Sequence, residues 1–144
     1  MSDRAFLDTN LLVYAIETAS TKPEKPAIAR SLTKRGDVCI STQVLGEFYR
    51  AVTNPRRASP LTHNEAVAWV QFWKRYEVRA ITVPHVDLAL EIAKRFNLGY
   101  YDSLILAAAR LGGCSVVYSE DLNPGQDYGG IRVENPFDES AGSE

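Results

Sequence analysis

The chain lacks any apolar run near the roughly 20 residues that a membrane span needs. An apolar strand begins almost at Met1, which leaves no room for a signal peptide. A cytoplasmic protein with no membrane partner is therefore expected. Cysteine is scarce: Cys39 lies in Asp37-Val38-Cys39-Ile40 and Cys114 in Gly113-Cys114-Ser115-Val116, with no zinc-site spacing. Both are expected to be buried free thiols, since a cytosolic chain of this size needs no disulfide. Histidine is equally scarce. His63 sits in a helix-capping sequence and His85 in a helix's first turn, both expected to be exposed, and nothing gathers them for acid–base catalysis. Neither sign of charge dominates, with 16 Lys and Arg against 18 Asp and Glu. The overall cationic field typical of nucleic-acid binders is thus missing, and an RNA or DNA partner would have to meet a local basic patch. Repeats and low-complexity segments are absent too.

What the chain does have is an alternation of short apolar strands and amphipathic helices. At 144 residues, 45% hydrophobic and 24% charged, it has the make-up of one globular domain. A strand at Ala5–Asp8 leads into a helix through Leu11, Leu12, Tyr14, Ala15 and Ile16, with Asp8 or Thr9 as cap. Thr21-Lys22-Pro23-Glu24 reads as a capping box opening a second helix that stops at Gly36. The strand Val38–Ile40 runs into Ser41-Thr42, caps for a third helix with Val44, Phe48 and Val52 on one face, ending at Asn54-Pro55. Thr62-His63-Asn64-Glu65 is a further capping box, before a helix with Ala66, Trp69, Val70 and Trp73 on one face. A strand at Arg79–Val83, a helix started by Pro84, a helix over Asp102–Leu111, a strand at Ser115–Tyr118 and an edge strand at Ile131–Val133 complete the alternation. The fold class is α/β, a mostly parallel central sheet flanked by helices on both faces, with one domain over residues 1–137 and a loose tail over 138–144.

Four acids stand out by position. Asp8 ends the first strand, Asp102 opens the alanine-rich helix, and Asp121 lies in the turn after Tyr118. Strand ends of a parallel sheet converge on one crevice, so these three should meet there. Taken singly, each has an ordinary explanation: a cap, a helix-dipole partner, a turn former. Glu47 is explained worst that way. At 100° per residue it lies about 40–60° from Ala51 and Val44, on the border of the apolar stripe, where a carboxylate needs a partner. Carboxylates gathered this closely repel one another unless a cation joins them. Hard oxygen donors select Mg²⁺ or Mn²⁺. Asp8 and Asp102 are the expected direct ligands, with Glu47 and Asp121 for a second ion, and two such ions suit phosphodiester cleavage. Thr9, Asn10, Ser103 and Ser119 are the polar neighbours expected to orient the carboxylates.

The Asp8-Thr9-Asn10 opening, Glu47 on the third helix, Tyr101-Asp102-Ser103-Leu104-Ile105 and Ser119-Glu120-Asp121-Leu122 together resemble a PIN-domain protein. The short form of the chain resembles the VapC toxins of toxin–antitoxin pairs. That resemblance implies a Mg²⁺-dependent ribonuclease, a homodimer, and inhibition by a VapB-type antitoxin. It places the family's acidic quartet on Asp8, Glu47, Asp102 and Asp121. Ser119 stands where the family often has threonine, which keeps the hydroxyl. Glu120 and Asp127 are extra acids that leave the second metal position open.

For RNA, Arg56-Arg57 in the proline-flanked loop are the expected phosphate contacts, with Lys22, Lys25, Lys74 and Arg75 as outlying charges. Tyr100, Tyr101 and Tyr128 are candidates to stack on a base. Trp69 and Trp73 read as packing. The alternative function is a catalytically idle domain that binds RNA or protein through the same fold, against which the complete quartet argues. A dehalogenase-type phosphatase would want a second Asp two residues after Asp8, where Asn10 stands. A receiver domain would want a lysine near the last strand, and the Ser119–Tyr128 turn has none.

Overall fold

The computed structural model describes residues 4–18 and 23–138. Thr21 and Lys22 of the expected capping box, and the tail from Glu139 onward, lie outside them. The sheet strands are β1 (Ala5–Leu7), β2 (Val38–Ser41), β3 (Glu77–Arg79), β4 (Val116–Tyr118) and β5 (Arg132–Glu134). Between them run α1 (Thr9–Ala15), α2 (Glu24–Thr33), α3 (Thr42–Thr53), α4 (His63–Trp73), α5 (Val83–Phe96) and α6 (Tyr100–Leu111). All strand pairs are parallel, in the order β3-β2-β1-β4-β5. The expected mostly parallel sheet is thus fully parallel among the described residues.

The central strand is the most apolar. Every residue of β1 and β2 is buried, as expected for strands covered on both faces. From β1 the chain moves outward through β2 to β3, then returns to the other side of β1 as β4. With right-handed crossovers, that reversal puts α1–α4 on one face and α5–α6 on the other. The packing agrees: α1 meets α2 and α3, α3 meets α4, and α5 meets α6. The register pairs Ala5 with Val38 and Val116, and Leu7 with Tyr118. The reversal of direction therefore falls between β1 and β4, and their carboxyl ends flank the crevice of the fold.

Local chemistry accounts for most element ends. The Ser41 hydroxyl accepts from the Val44 amide at 3.3 Å and starts α3. Thr62 and Glu65 form the expected reciprocal box at 2.8 and 3.2 Å. Val44, Phe48 and Val52 are fully buried. α6 fits under the sheet because Ala107, Ala108 and Ala109 leave room, and Gly112 continues the close approach. A Cβ there would stand 3.1 Å from both the Ala108 carbonyl oxygen and Cys39 Sγ. Cys39 and Cys114 are buried free thiols, as expected.

Three expectations need correction. The third strand is Glu77–Arg79, not Arg79–Val83. It pairs with Cys39–Ser41, and its partner ends where α3 begins. Beyond that point the Ile81 amide donates to the Thr42 hydroxyl at 3.2 Å, and Thr82 becomes the residue that precedes α5. The second helix ends at Thr33, short of Gly36. His85 is buried, not exposed. Its Nδ1 accepts from the Thr82 amide at 3.1 Å, so the ring folds back over the helix start. Burial, and then the nearby Arg79 cation, hold its pKa below the usual histidine value.

Candidate active site

The acids meet in the crevice between β1 and β4. The Asp8 amide continues the ladder by donating to the Tyr118 carbonyl at 3.0 Å, which sets Asp8 beside Ser119. The Ser119 hydroxyl then donates to Asp8 Oδ2 at 2.7 Å, and the Thr9 amide donates to Oδ1 at 2.7 Å. Asp8 is the buried member, at 6% exposure. Its pKa is raised from 3.8 to about 6: burial pushes it up most, the two hydrogen bonds from Ser119 and Thr9 oppose that, and the charges of Asp121 and Glu47 add to the rise.

Glu47 is half-buried, and both carboxylate oxygens are held. The Thr9 hydroxyl donates to Oε1 at 2.9 Å and the Gln43 amide to Oε2 at 3.0 Å. This answers the partner it lacked on the edge of the apolar stripe, across 38 residues of chain. Asp121 accepts from Asn10 Nδ2 at 3.2 Å, while its own amide donates to the Ser119 hydroxyl at 3.1 Å. Asp102 stands in the first turn of α6 at the crevice mouth. Its pKa is also raised, first by partial burial of the carboxyl and then by Asp121 and Glu47. The electrostatic influence of Asp121 and Glu47 thus reaches both Asp8 and Asp102. Four acids spread along most of the chain share one field.

Of the four expected orienting residues, Thr9, Asn10 and Ser119 each bond to at least one of the acids. Ser103 does not. It is fully buried and its hydroxyl donates to the Gly99 carbonyl at 2.8 Å, back along its own helix. Gln43 is the site residue that sequence reasoning missed. It bridges Glu47 and, at 3.3 Å, the Tyr101 carbonyl, tying α3 to α6. Its spacing, one turn before Glu47, was the available signal.

The extra acids are otherwise engaged. Glu120 accepts from Tyr14 at 2.8 Å and pairs with Lys25 at 2.5 Å. Lys25 also sits 5.2 Å from the Tyr14 ring centroid and 5.4 Å from that of Phe137, so it is a packed ion-pair partner of Glu120. Asp127 Oδ1 accepts from the Gly130 amide at 2.7 Å and stabilises a turn. Tyr128 is buried against Phe96, ring centroids 5.0 Å apart, and cannot offer its face to a base. Tyr101 remains exposed. Trp73 is buried and stacked on Trp69 at 5.5 Å, in the packing role expected of the pair. Arg75 lies over the Phe72 ring at 4.0 Å and donates to the Thr33 carbonyl. Arg56 is exposed in the loop after α3, and Arg57 donates to the Ser59 carbonyl at 3.0 Å.

A PIN-domain family model matches residues 5–125, a span that contains all four acids. The chain belongs to the PIN-domain family. Solved structures of similar fold include a toxin–antitoxin complex from Klebsiella pneumoniae, with a TM-score of 0.67 and 16% identity over 92% of this chain and 98% of that one. A DNA-bound VapBC from Salmonella typhimurium gives 0.65 and 23%, covering 94% of this chain and 99% of that one. VapC20 of Mycobacterium tuberculosis, a toxin that cleaves the sarcin–ricin loop, gives 0.63 and 22%, covering 81% and 89%. Identities this low establish a common PIN fold, and function has to be argued from the site. No curated protein matches the sequence. Among the described residues no helix is long and apolar enough to cross a membrane.

The donor set suits a hard divalent cation. The four carboxylates offer only oxygen donors, and burial disfavours the charge of Asp8, which a cation would favour. Among the described residues no three His, Cys, Asp or Glu side chains converge tightly enough to cage an ion.

Proposed function

We propose that this PIN-domain protein is a Mg²⁺- or Mn²⁺-dependent endoribonuclease that acts in the cytoplasm as the toxin of a toxin–antitoxin pair. The observation that carries the reading is the convergence of Asp8, Glu47, Asp102 and Asp121 on one crevice, with the pKa of buried Asp8 raised to about 6. Isolated structural acids would not be drawn into one field at the switch point of a parallel sheet. Asp8 and Asp102 would hold the ion, with Glu47 and Asp121 beside them. When bound, a divalent ion supplies charge stabilisation for phosphodiester cleavage and activates the attacking water.

The chain's own contribution is orientation. Thr9 and Gln43 fix both oxygens of Glu47, Asn10 fixes Asp121, and Ser119 with the Thr9 amide fixes Asp8. Carboxylates held in this way need little rearrangement to receive a cation. Near pH 6 Asp8 is half-protonated in the metal-free protein, so cation binding would expel that proton. Arg56 and Arg57, in the loop beyond the end of α3, would meet the phosphates. The likeness to a VapBC complex supports a VapB-type antitoxin as partner, and the resemblance to VapC toxins implies a homodimer.

Incubation of purified protein with a mixed cellular RNA pool, in Mg²⁺, Mn²⁺ or EDTA and beside Asp8→Asn, tests the reading. Discrete fragments that require both metal and Asp8 are expected. A folded, antitoxin-free protein that leaves RNA intact would favour the idle binding domain instead.

A further inference from the structure

Two arginines outside the acidic crevice converge with no carboxylate ion-paired to either among the described residues. Arg95 lies near the end of α5 and Arg110 near the end of α6. Their Nη1 atoms stand 3.4 and 3.5 Å from the point a Cβ would occupy at Gly129, which puts them within about 7 Å of each other. Among the described residues neither guanidinium joins an ion pair, whereas Arg4, Arg35, Arg79 and Arg132 each have a carboxylate partner. Glu91, one turn before Arg95, shares the cavity they line but does not pair with either.

That cavity, of about 270 Å³, is lined on its apolar side by Leu88, Ile92 and Phe96. Arg95 lies 4.9 Å from the Phe96 ring centroid, which restrains its plane. Gly129 has φ +70°, so the loop passes under the guanidinium groups with no side chain in the way. Two converging forks of donors beside an apolar wall match a phosphate with its attached sugar or base.

We propose that Arg95 and Arg110 anchor a backbone phosphate of single-stranded RNA away from the bond to be cut. The ligand class rests on the nuclease reading above. α6 carries Asp102 in its first turn and Arg110 in its last, eight residues and about 12 Å along the axis. One strand can therefore span the crevice and the arginine pair. The need for such an anchor is evident from the charge: the chain is net −2 and its crevice is acidic, so RNA phosphates are repelled unless a local cationic site holds them.

Fluorescence anisotropy of a short single-stranded RNA, titrated in EDTA at several salt concentrations, tests this with no contribution from cleavage. Arg95→Ala combined with Arg110→Ala should weaken binding roughly tenfold. It should also flatten the dependence of log K on log salt by about 0.7 for each phosphate no longer neutralised. Glu91→Gln should tighten binding. Unchanged affinity and slope in the double variant overturn the anchor, even if the wild-type protein cleaves RNA. Weakened affinity in a protein that never cleaves supports the anchor and removes only the nuclease. Equal dependence of a polyglutamate peptide on the pair would make it a general anion patch and also overturn the proposal.

Discussion

Replacing Asp8 with asparagine should stabilise the metal-free protein, and only at neutral pH. The carboxyl titrates near 3.8 when exposed and at about 6 in the folded state, chiefly because it is buried. A raised folded-state pKa means the native protein binds the proton more tightly than the unfolded chain. Below about pH 4 both states are protonated and Asp8 contributes nothing. Between about pH 4 and 6 stability falls as pH rises, and above 6 the full penalty is present. A gap of about 2 pH units at 1.36 kcal/mol each gives roughly 3 kcal/mol. Asparagine removes the charge but leaves Ser119 with a less suitable partner, which costs about 1 kcal/mol. The net gain at pH 7.5 is therefore about 2 kcal/mol, a rise of several degrees in Tm for a chain of this length. Urea denaturation in EDTA, run for both proteins from pH 4.5 to 8, reads the difference directly. Buried His85 has a lowered pKa, so it costs stability as pH falls through the histidine range. Both proteins share that cost and it cancels. A difference that stays flat with pH, or a variant weaker at pH 7.5, would refute burial of a charged Asp8.

Asp102→Asn should abolish RNA cleavage yet leave the metal-free protein at least as stable, because the raised carboxyl is relieved of its neighbours. Mg²⁺ should raise the Tm of the wild type more than that of this variant; equal rises would take Asp102 out of the cation site. Ser119→Ala removes the 2.7 Å bond that favours the Asp8 carboxylate. The Asp8 midpoint, followed by NMR of its carboxyl carbon, should then move above about 6, and an unmoved midpoint would show the bond to be idle. Gly112→Ala should cost about 1–2 kcal/mol in urea denaturation. Its new methyl would press on Cys39 Sγ and the Ala108 carbonyl oxygen, both 3.1 Å away. A stabilised variant would mean the two elements part easily.

The sequence by itself determined most of the elements and singled out the four acids by position. Thr62 with Glu65, Ser41 before α3, and the four-residue repeat of Val44, Phe48 and Val52 are signals carried within a few residues, where hydrogen bonding and helix periodicity operate. Asp8, Asp102 and Asp121 were legible because strand ends and helix starts can be read locally. Only the tertiary structure decided what those residues meet. β3 ended early because its neighbour β2 did, and Tyr128 was buried against Phe96, far away in the chain. Thr9 and Gln43 reached Glu47, Lys25 took Glu120 away from the other acids, and Arg95 and Arg110 came together over Gly129. Each of these depends on strand order and register, which set distances between residues that share no local pattern.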